Sequence, residues 1–128
     1  MNSDLKNTIR DVLVDGKLPC ARAFAVAKEM GVNPLEVGRV ATEEGIKISR
    51  CQLGLFGYPE GARPVEKMKD KVTDELRKEV RSRLVDGQLS CKAAWQIAAE
   101  LKAAKMLISA TAEDLNIRIR DCQLGCFV

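Results

Sequence analysis

The chain has 128 residues, 46% of them hydrophobic, and a net charge of +3, which suits one ordinary soluble domain or two very small ones. It has no histidine, which excludes Ser-His-Asp and Cys-His catalysis and histidine-based zinc sites; it also lacks a Walker-type phosphate loop and a G-x-G-x-x-G fingerprint, so no enzyme is expected. No apolar run approaches the roughly 18 residues of a membrane span and the N-terminus lacks a secretory apolar core, so the expected location is the cytoplasm, without a membrane partner and with the five cysteines as reduced thiols.

In chain order, Leu5, Ile9 and Leu13 recur every four residues and predict a first helix stopped by Asp15-Gly16, with Gly16 at C′. Pro19 suits the first turn of a second helix, whose buried stripe is Cys20, Phe24, Ala27 and Met30 and whose end is Gly31. Asn33, Pro34 and Glu36 read as N-cap, N1 proline and capping-box glutamate of a third helix that runs to about Glu44, with Gly45 closing it. Ile46-Lys47-Ile48 alternates and is β-branched, so a strand follows. After the turn-rich GYPEGARP, Pro64 opens a stripe of Val65, Met68, Val72, Leu76, Val80 and Leu84 that predicts one long helix of about 30 Å, suited to a spine between units or a dimer seam.

The organising feature is a repeat. A shift of 71 positions aligns residues 5–56 with 76–127 without a gap and gives 19 identities in 52 pairs, among them Asp15-Gly16 with Asp86-Gly87, Cys20 with Cys91, and the phrase Cys51-Gln52-Leu53-Gly54 with Cys122-Gln123-Leu124-Gly125. The chain therefore reads as a first repeat over 1–58, a linker with the start of the long helix over 59–75, and a second, degenerate repeat over 76–128. In the second copy Lys102 stands for Gly31 and Ala104-Lys105 for Asn33-Pro34. Its turn is expected to be looser, or its second and third helices to merge in part, with Ser109 or Thr111 as a later cap.

Helix, helix, tight turn, helix, strand, with Ala27, Gly31 and Val37 at the spacing A-x3-G-x5-V, resembles the winged helix-turn-helix superfamily. The resemblance is carried by residues 20–41. It implies a mainly α fold with short β-strands, namely tandem winged helix-turn-helix-like units joined by the long helix. It also implies a DNA-binding transcriptional regulator whose third helix enters the major groove, with a homodimer as a further expectation. Arg39 and Thr42 on the third helix, and the strand cations Lys47, Arg50, Arg118 and Arg120, are the candidate DNA contacts. Against this, Glu36, Glu43 and Glu44 make the third helix poor at facing phosphate, which leaves a protein-interaction or thiol-sensing module as the alternative.

Each strand needs a neighbour, and the segments near Leu18 and Leu89 are one candidate for a local edge, with the sister strand or a partner copy on the other. Ile46 and Ile48 fall on one parity and Cys51 and Leu53 on the other, so a bulge or bend near Arg50 and Asp121 must return the phrase to the core, where Leu53 and Phe56 cap the repeat's own interior. The cysteines then act as small buried hydrophobes. A sharper reading groups Cys20, Cys51, Cys91 and Cys122 as four sulfurs for zinc or an iron–sulfur cluster, although no C-x2-C spacing supports it.

Overall fold

The computed structural model describes residues 2–58 and 63–126. These residues are mainly helical, with four two-residue strands: α1 (Asn2–Asp11), β1 (Leu18–Pro19), α2 (Cys20–Met30), α3 (Pro34–Glu43), β2 (Ile48–Ser49), a 3-10 helix (Pro64–Lys71), α4 (Asp74–Ser82), β3 (Leu89–Ser90), α5 (Cys91–Leu101), α6 (Lys105–Asp114) and β4 (Ile119–Arg120). None of these helices is long and apolar enough to cross a membrane.

The backbone repeats as the residues do. Six left-handed positions recur at a spacing of 71: Asp15 and Asp86, Gly16 and Gly87, Gly31 and Lys102, Gly45 and Asn116, Arg50 and Asp121, Gly54 and Gly125. Left-handed φ is sterically costly for L-residues other than glycine. It is nevertheless kept at four non-glycine places in the second repeat, where turn hydrogen bonds such as Ala103 N–H to Ala98 O and Ile117 N–H to Ala112 O are also kept.

Asp15-Gly16 is not a helix C-cap. The helix ends at Asp11, and both residues have positive φ between Val14 and Lys17, which exchange hydrogen bonds of 2.8 and 3.0 Å. This is the two-residue turn of a small hairpin, where Asp-Gly suits two successive positive φ values. Pro19 likewise ends β1 and stands at the N-cap of α2, in extended conformation, rather than inside the helix.

Between α2 and α3, Gly31 takes φ 67 and Val32 N–H returns to the carbonyl of Ala27 at 3.0 Å, satisfying an end carbonyl of α2. Asn33 Oδ1 then accepts from Leu35 N–H at 2.9 Å and Pro34 occupies the first turn of α3. The same turn exists between α5 and α6. Lys102 adopts φ 54 and Ala103 N–H reaches Ala98 O at 2.9 Å, so the two helices do not merge, and α6 begins after Ala104 rather than at Ser109 or Thr111.

The strands pair locally and in parallel, Leu18 with Ile48 and Leu89 with Ile119. Among the described residues each sheet has only these two strands, so β2 and β4 do not pair with each other. Arg50 (φ 48) and Asp121 (φ 53) supply the expected bend after each strand, and Cys51, Leu53 and Leu124 are buried beyond it.

The expected long helix is two pieces. Residues 64–71 form the 3-10 helix, Val72 and Thr73 are extended, and Thr73 Oγ1 accepts from Leu76 N–H at 3.3 Å to start α4. Thr followed by Asp74-Glu75 is a helix-start signal inside the apolar stripe, and it overrides the periodicity. The start of the expected linker, residues 59–62, lies outside the described residues.

The contacts divide the chain into two units. Unit 1 holds residues 1–51, 56–61 and 123–126; unit 2 holds 52–55, 62–122 and 127–128. The Gln-Leu-Gly segments are therefore exchanged with respect to the repeats. Leu53 does not cap the interior of the repeat that encodes it. In unit 1 the core is Leu5, Ile9, Leu18, Ala23, Val26, Val37, Val40 and Leu124; in unit 2 it is Leu53, Val65, Val80, Leu89, Ala94, Ile97, Ile108 and Ile119.

Candidate functional site

In unit 1, α3 buries Val37, Gly38, Val40 and Ala41. Gly38 has no side chain for a reason of space: a Cβ there would overlap the carbonyl oxygen of Leu124. Residues 124–125 thus lie directly on α3. Beside them is a groove of about 380 Å³ lined by Leu35, Gly38, Arg39, Thr42, Glu43, Leu124 and Gly125. Leu35 is 55% exposed on its rim. An apolar floor with a polar rim is the usual form of a contact site.

The candidate DNA contacts on α3 are both here. Arg39 is ion-paired with Glu36 and Glu43, one turn to either side. The hydrogen bond to Glu36 raises the guanidinium's pKa further and, in return, holds the Glu36 carboxyl below its usual range. Thr42 Oγ1 donates to the carbonyl of Gly38 at 2.9 Å, and the residue lines the groove. The charge on Arg39 is neutralised before any ligand arrives.

The strand cations occupy two other places. Lys47 and Arg50 flank β2 and are exposed; Arg50 lines a second, smaller cavity of about 190 Å³ with Lys17, Ser49 and Tyr58. None of Lys17, Lys47 and Arg50 forms an ion pair with another described residue within 4.0 Å. In unit 2, Arg118 is exposed, while Arg120 donates to Gln88 Oε1 at 3.3 Å and lies 3.5 Å from Asp121.

The thiols follow the unit boundaries, with Cys20 and Cys51 buried in unit 1 and Cys91 buried and Cys122 half-buried in unit 2. Among the described residues no three cysteine or carboxylate side chains gather as a metal-ligand set. In unit 1, Cys51 N–H donates to Phe56 O at 3.1 Å and the Tyr58 hydroxyl donates to Cys51 O at 2.8 Å, closing the base of the loop. Burial raises the Tyr58 pKa, the neighbouring Cys51 adds to the rise, and Arg50 opposes it.

Unit 2 carries the equivalent helix face, and there it is covered. Ser109 and Ala110 match Gly38 and Arg39, and both are fully buried on α6. The 3-10 helix supplies the cover: Val65 is fully buried, its N–H lies 2.9 Å from where a Cβ of Gly54 would stand, and Met106 Cγ lies 3.2 Å from the same point. Arg63 ion-pairs with Glu113, and Lys69 Nζ lies 3.5 Å from the same carboxylate.

The residues that define the groove, Leu35, Gly38 and Leu124, were not candidates on sequence alone. The available signal was Gly38, a glycine in mid-helix, where it costs about 1 kcal/mol relative to alanine unless a close approach requires it. Comparison of the chain with protein-family models, with curated proteins and with solved structures gives no match.

Proposed function

We propose that this chain is a non-enzymatic interaction module of two winged helix-turn-helix-like repeats, and that it engages a protein segment through the outward face of α3. One contrast carries the reading. On α6, which the 3-10 helix packs against, Ala110 is fully buried and Met106 and Glu113 are half-buried, whereas the matching residues of α3, Arg39, Leu35 and Thr42, are exposed beside a groove. The second repeat acts as the closed, structural copy and the first as the open, binding copy.

A protein ligand fits this face better than a phosphate backbone does. Two carboxylates, Glu36 and Glu43, surround the single guanidinium, and Leu35 presents aliphatic surface where a groove-reading helix would place donors. A DNA-binding regulator is the second reading. It is supported by Lys17, Lys47 and Arg50 around the β1–β2 pair, in the place of a phosphate-contacting wing.

The two readings separate in one titration. Isotope-labelled full-length protein is mixed with a mixed-sequence duplex at about 50 and 200 mM salt, where phosphate contacts weaken steeply. Absence of salt-sensitive shifts at Lys47 and Arg50 supports the protein-binding reading. Salt-sensitive binding that is lost in Lys47→Glu/Arg50→Glu and spans α3 overturns it in favour of DNA.

A further inference from the structure

The internal duplication contains its own description of what an occupant of the α3 groove looks like. On α6, the face at Met106, Ser109 and Ala110 is filled by a proline-led 3-10 helix from the same unit. Its anchor is Val65, which is completely buried, with half-buried Met68 three residues on. In a 3-10 helix residues three apart lie on one side, so Val65 and Met68 present a single apolar edge. Its flanking cations, Arg63 and Lys69, pair with Glu113 on the helix they cover.

The seat on α3 shares its apolar part, while Thr42 stands in the place of Glu113 and the nearest carboxylate is Glu43, one residue on. Leu35 stands where Met106 stands and Gly125 where Gly54 stands: Met106 Cγ lies 3.2 Å from the Cβ position of Gly54, and Leu35 Cδ1 lies 2.8 Å from that of Gly125. Both glycines are left-handed, at φ 75 and φ 80. The rim carries Glu36 and Glu43 against Arg39 alone, an excess of one negative charge.

We infer that the α3 groove of unit 1 receives a short proline-led helical turn of a partner protein, with an aliphatic anchor, a second apolar residue three positions later, and basic flanks. The inference rests on the reading of α3 as a protein-binding face and adds the chemistry of the ligand. The anchor sits against Gly125 beside Leu35, as Val65 sits against Gly54 beside Met106. The basic flanks meet Glu43 and Glu36, loosening their hold on Arg39. Leu35 is the specificity residue, because its branched side chain sets the depth of the anchor's seat.

The test uses the full chain, isotope-labelled, and a synthetic peptide of sequence RPVEKMKDKV, residues 63–72 of this protein, added in trans. Saturable amide shifts at Leu35, Gly38, Arg39 and Thr42 are expected. Leu35→Glu, at an exposed position, should weaken binding at least tenfold without changing the rest of the spectrum, and a peptide carrying Val65→Glu should not bind. Shifts confined to α6, or none, overturn the inference. A charge-reversed peptide, with Arg63, Lys67 and Lys69 all replaced by glutamate, separates the two levels. If it alone shifts α3, the basic ligand is wrong but α3 remains a protein-binding face; if only duplex DNA shifts α3, that face was misread. Concentration-dependent shifts at α3 in protein alone, with dimer mass in sedimentation, overturn the inference in favour of a second copy as occupant.

Discussion

The Cα of Gly38 faces the backbone carbonyl of Leu124, with no room for a Cβ between them. Residues 86 positions apart in the chain are thus in backbone contact, and α3 depends on that contact for its inner face. Gly38→Ala should gain up to about 1 kcal/mol of helix propensity and lose more to overlap with main chain, which cannot rotate away as a side chain can. The expected net result is a loss of about 1–3 kcal/mol in denaturant unfolding, with faster amide exchange at residues 123–126. Unchanged stability would show that the segment does not rest on α3.

Lys102 and Gly31 occupy the same left-handed turn position in the two repeats, at φ 54 and φ 67. A Cβ at Gly31 would meet nothing within 4 Å, so the difference between the residues is backbone conformational energy alone. Lys102→Gly should stabilise the protein by roughly 0.5–1 kcal/mol and raise the melting temperature by a few degrees, and Gly31→Lys should lower it by a similar amount. Opposite signs in the two repeats are the signature to look for in thermal unfolding.

Lys105 Nζ lies 4.2 Å from the ring centre of Trp95 and donates to Gln52 Oε1 at 3.1 Å. Because Trp95 is the sole tryptophan, its fluorescence reports directly on this corner of unit 2. Lys105→Met should shift the emission and cost about 0.5–1 kcal/mol, the size of a partly exposed cation–π contact. Gln52→Ala should change the emission less, since it leaves the cation over the ring. Identical spectra for wild type and Lys105→Met would remove the contact from the account.

Arg39 depresses the pKa of Glu36, and Arg83 depresses that of Glu100. A carboxylate whose pKa is lower folded than unfolded contributes stability above its unfolded value, and that contribution is lost as pH falls through the folded value. Stability should therefore decline below the ordinary glutamate range of about 4.3. Both carboxylates lie at the surface in contact with solvent, so the decline should be shallow and should weaken in high salt. Melting curves at neutral and acid pH should show Glu100→Gln with a flatter acid limb than wild type; an equally steep limb would place the titration elsewhere.

Much of the local structure was legible because its causes act within a few residues. The Asn33 cap, the Pro34 start, the turn at Gly31, the pairing of Leu18 with Ile48, and the bend at Arg50 and Asp121 all arise from side-chain capping, glycine freedom or strand parity. The long helix was misread for a related reason. Apolar periodicity continues through Val72 and Thr73, but Thr73 satisfies the amide of Leu76, and a cap of that kind ends one helix and begins another.

The amino-acid sequence by itself determined that there are two copies of one unit, roughly where the first copy's three helices and following strand lie, and where that strand's chain must bend. Only the tertiary structure decided that the echoed Gln-Leu-Gly segments change places, so that Leu53 is buried with α6 and Leu124 with α3, and that one helix face is covered while its twin is open. Two near-identical segments carry near-identical local signals, so nothing within either can say which of two equivalent interiors it will enter. That choice is made by packing between residues far apart in the chain, at Gly38 against Leu124 and at Gly54 against Val65 and Met106.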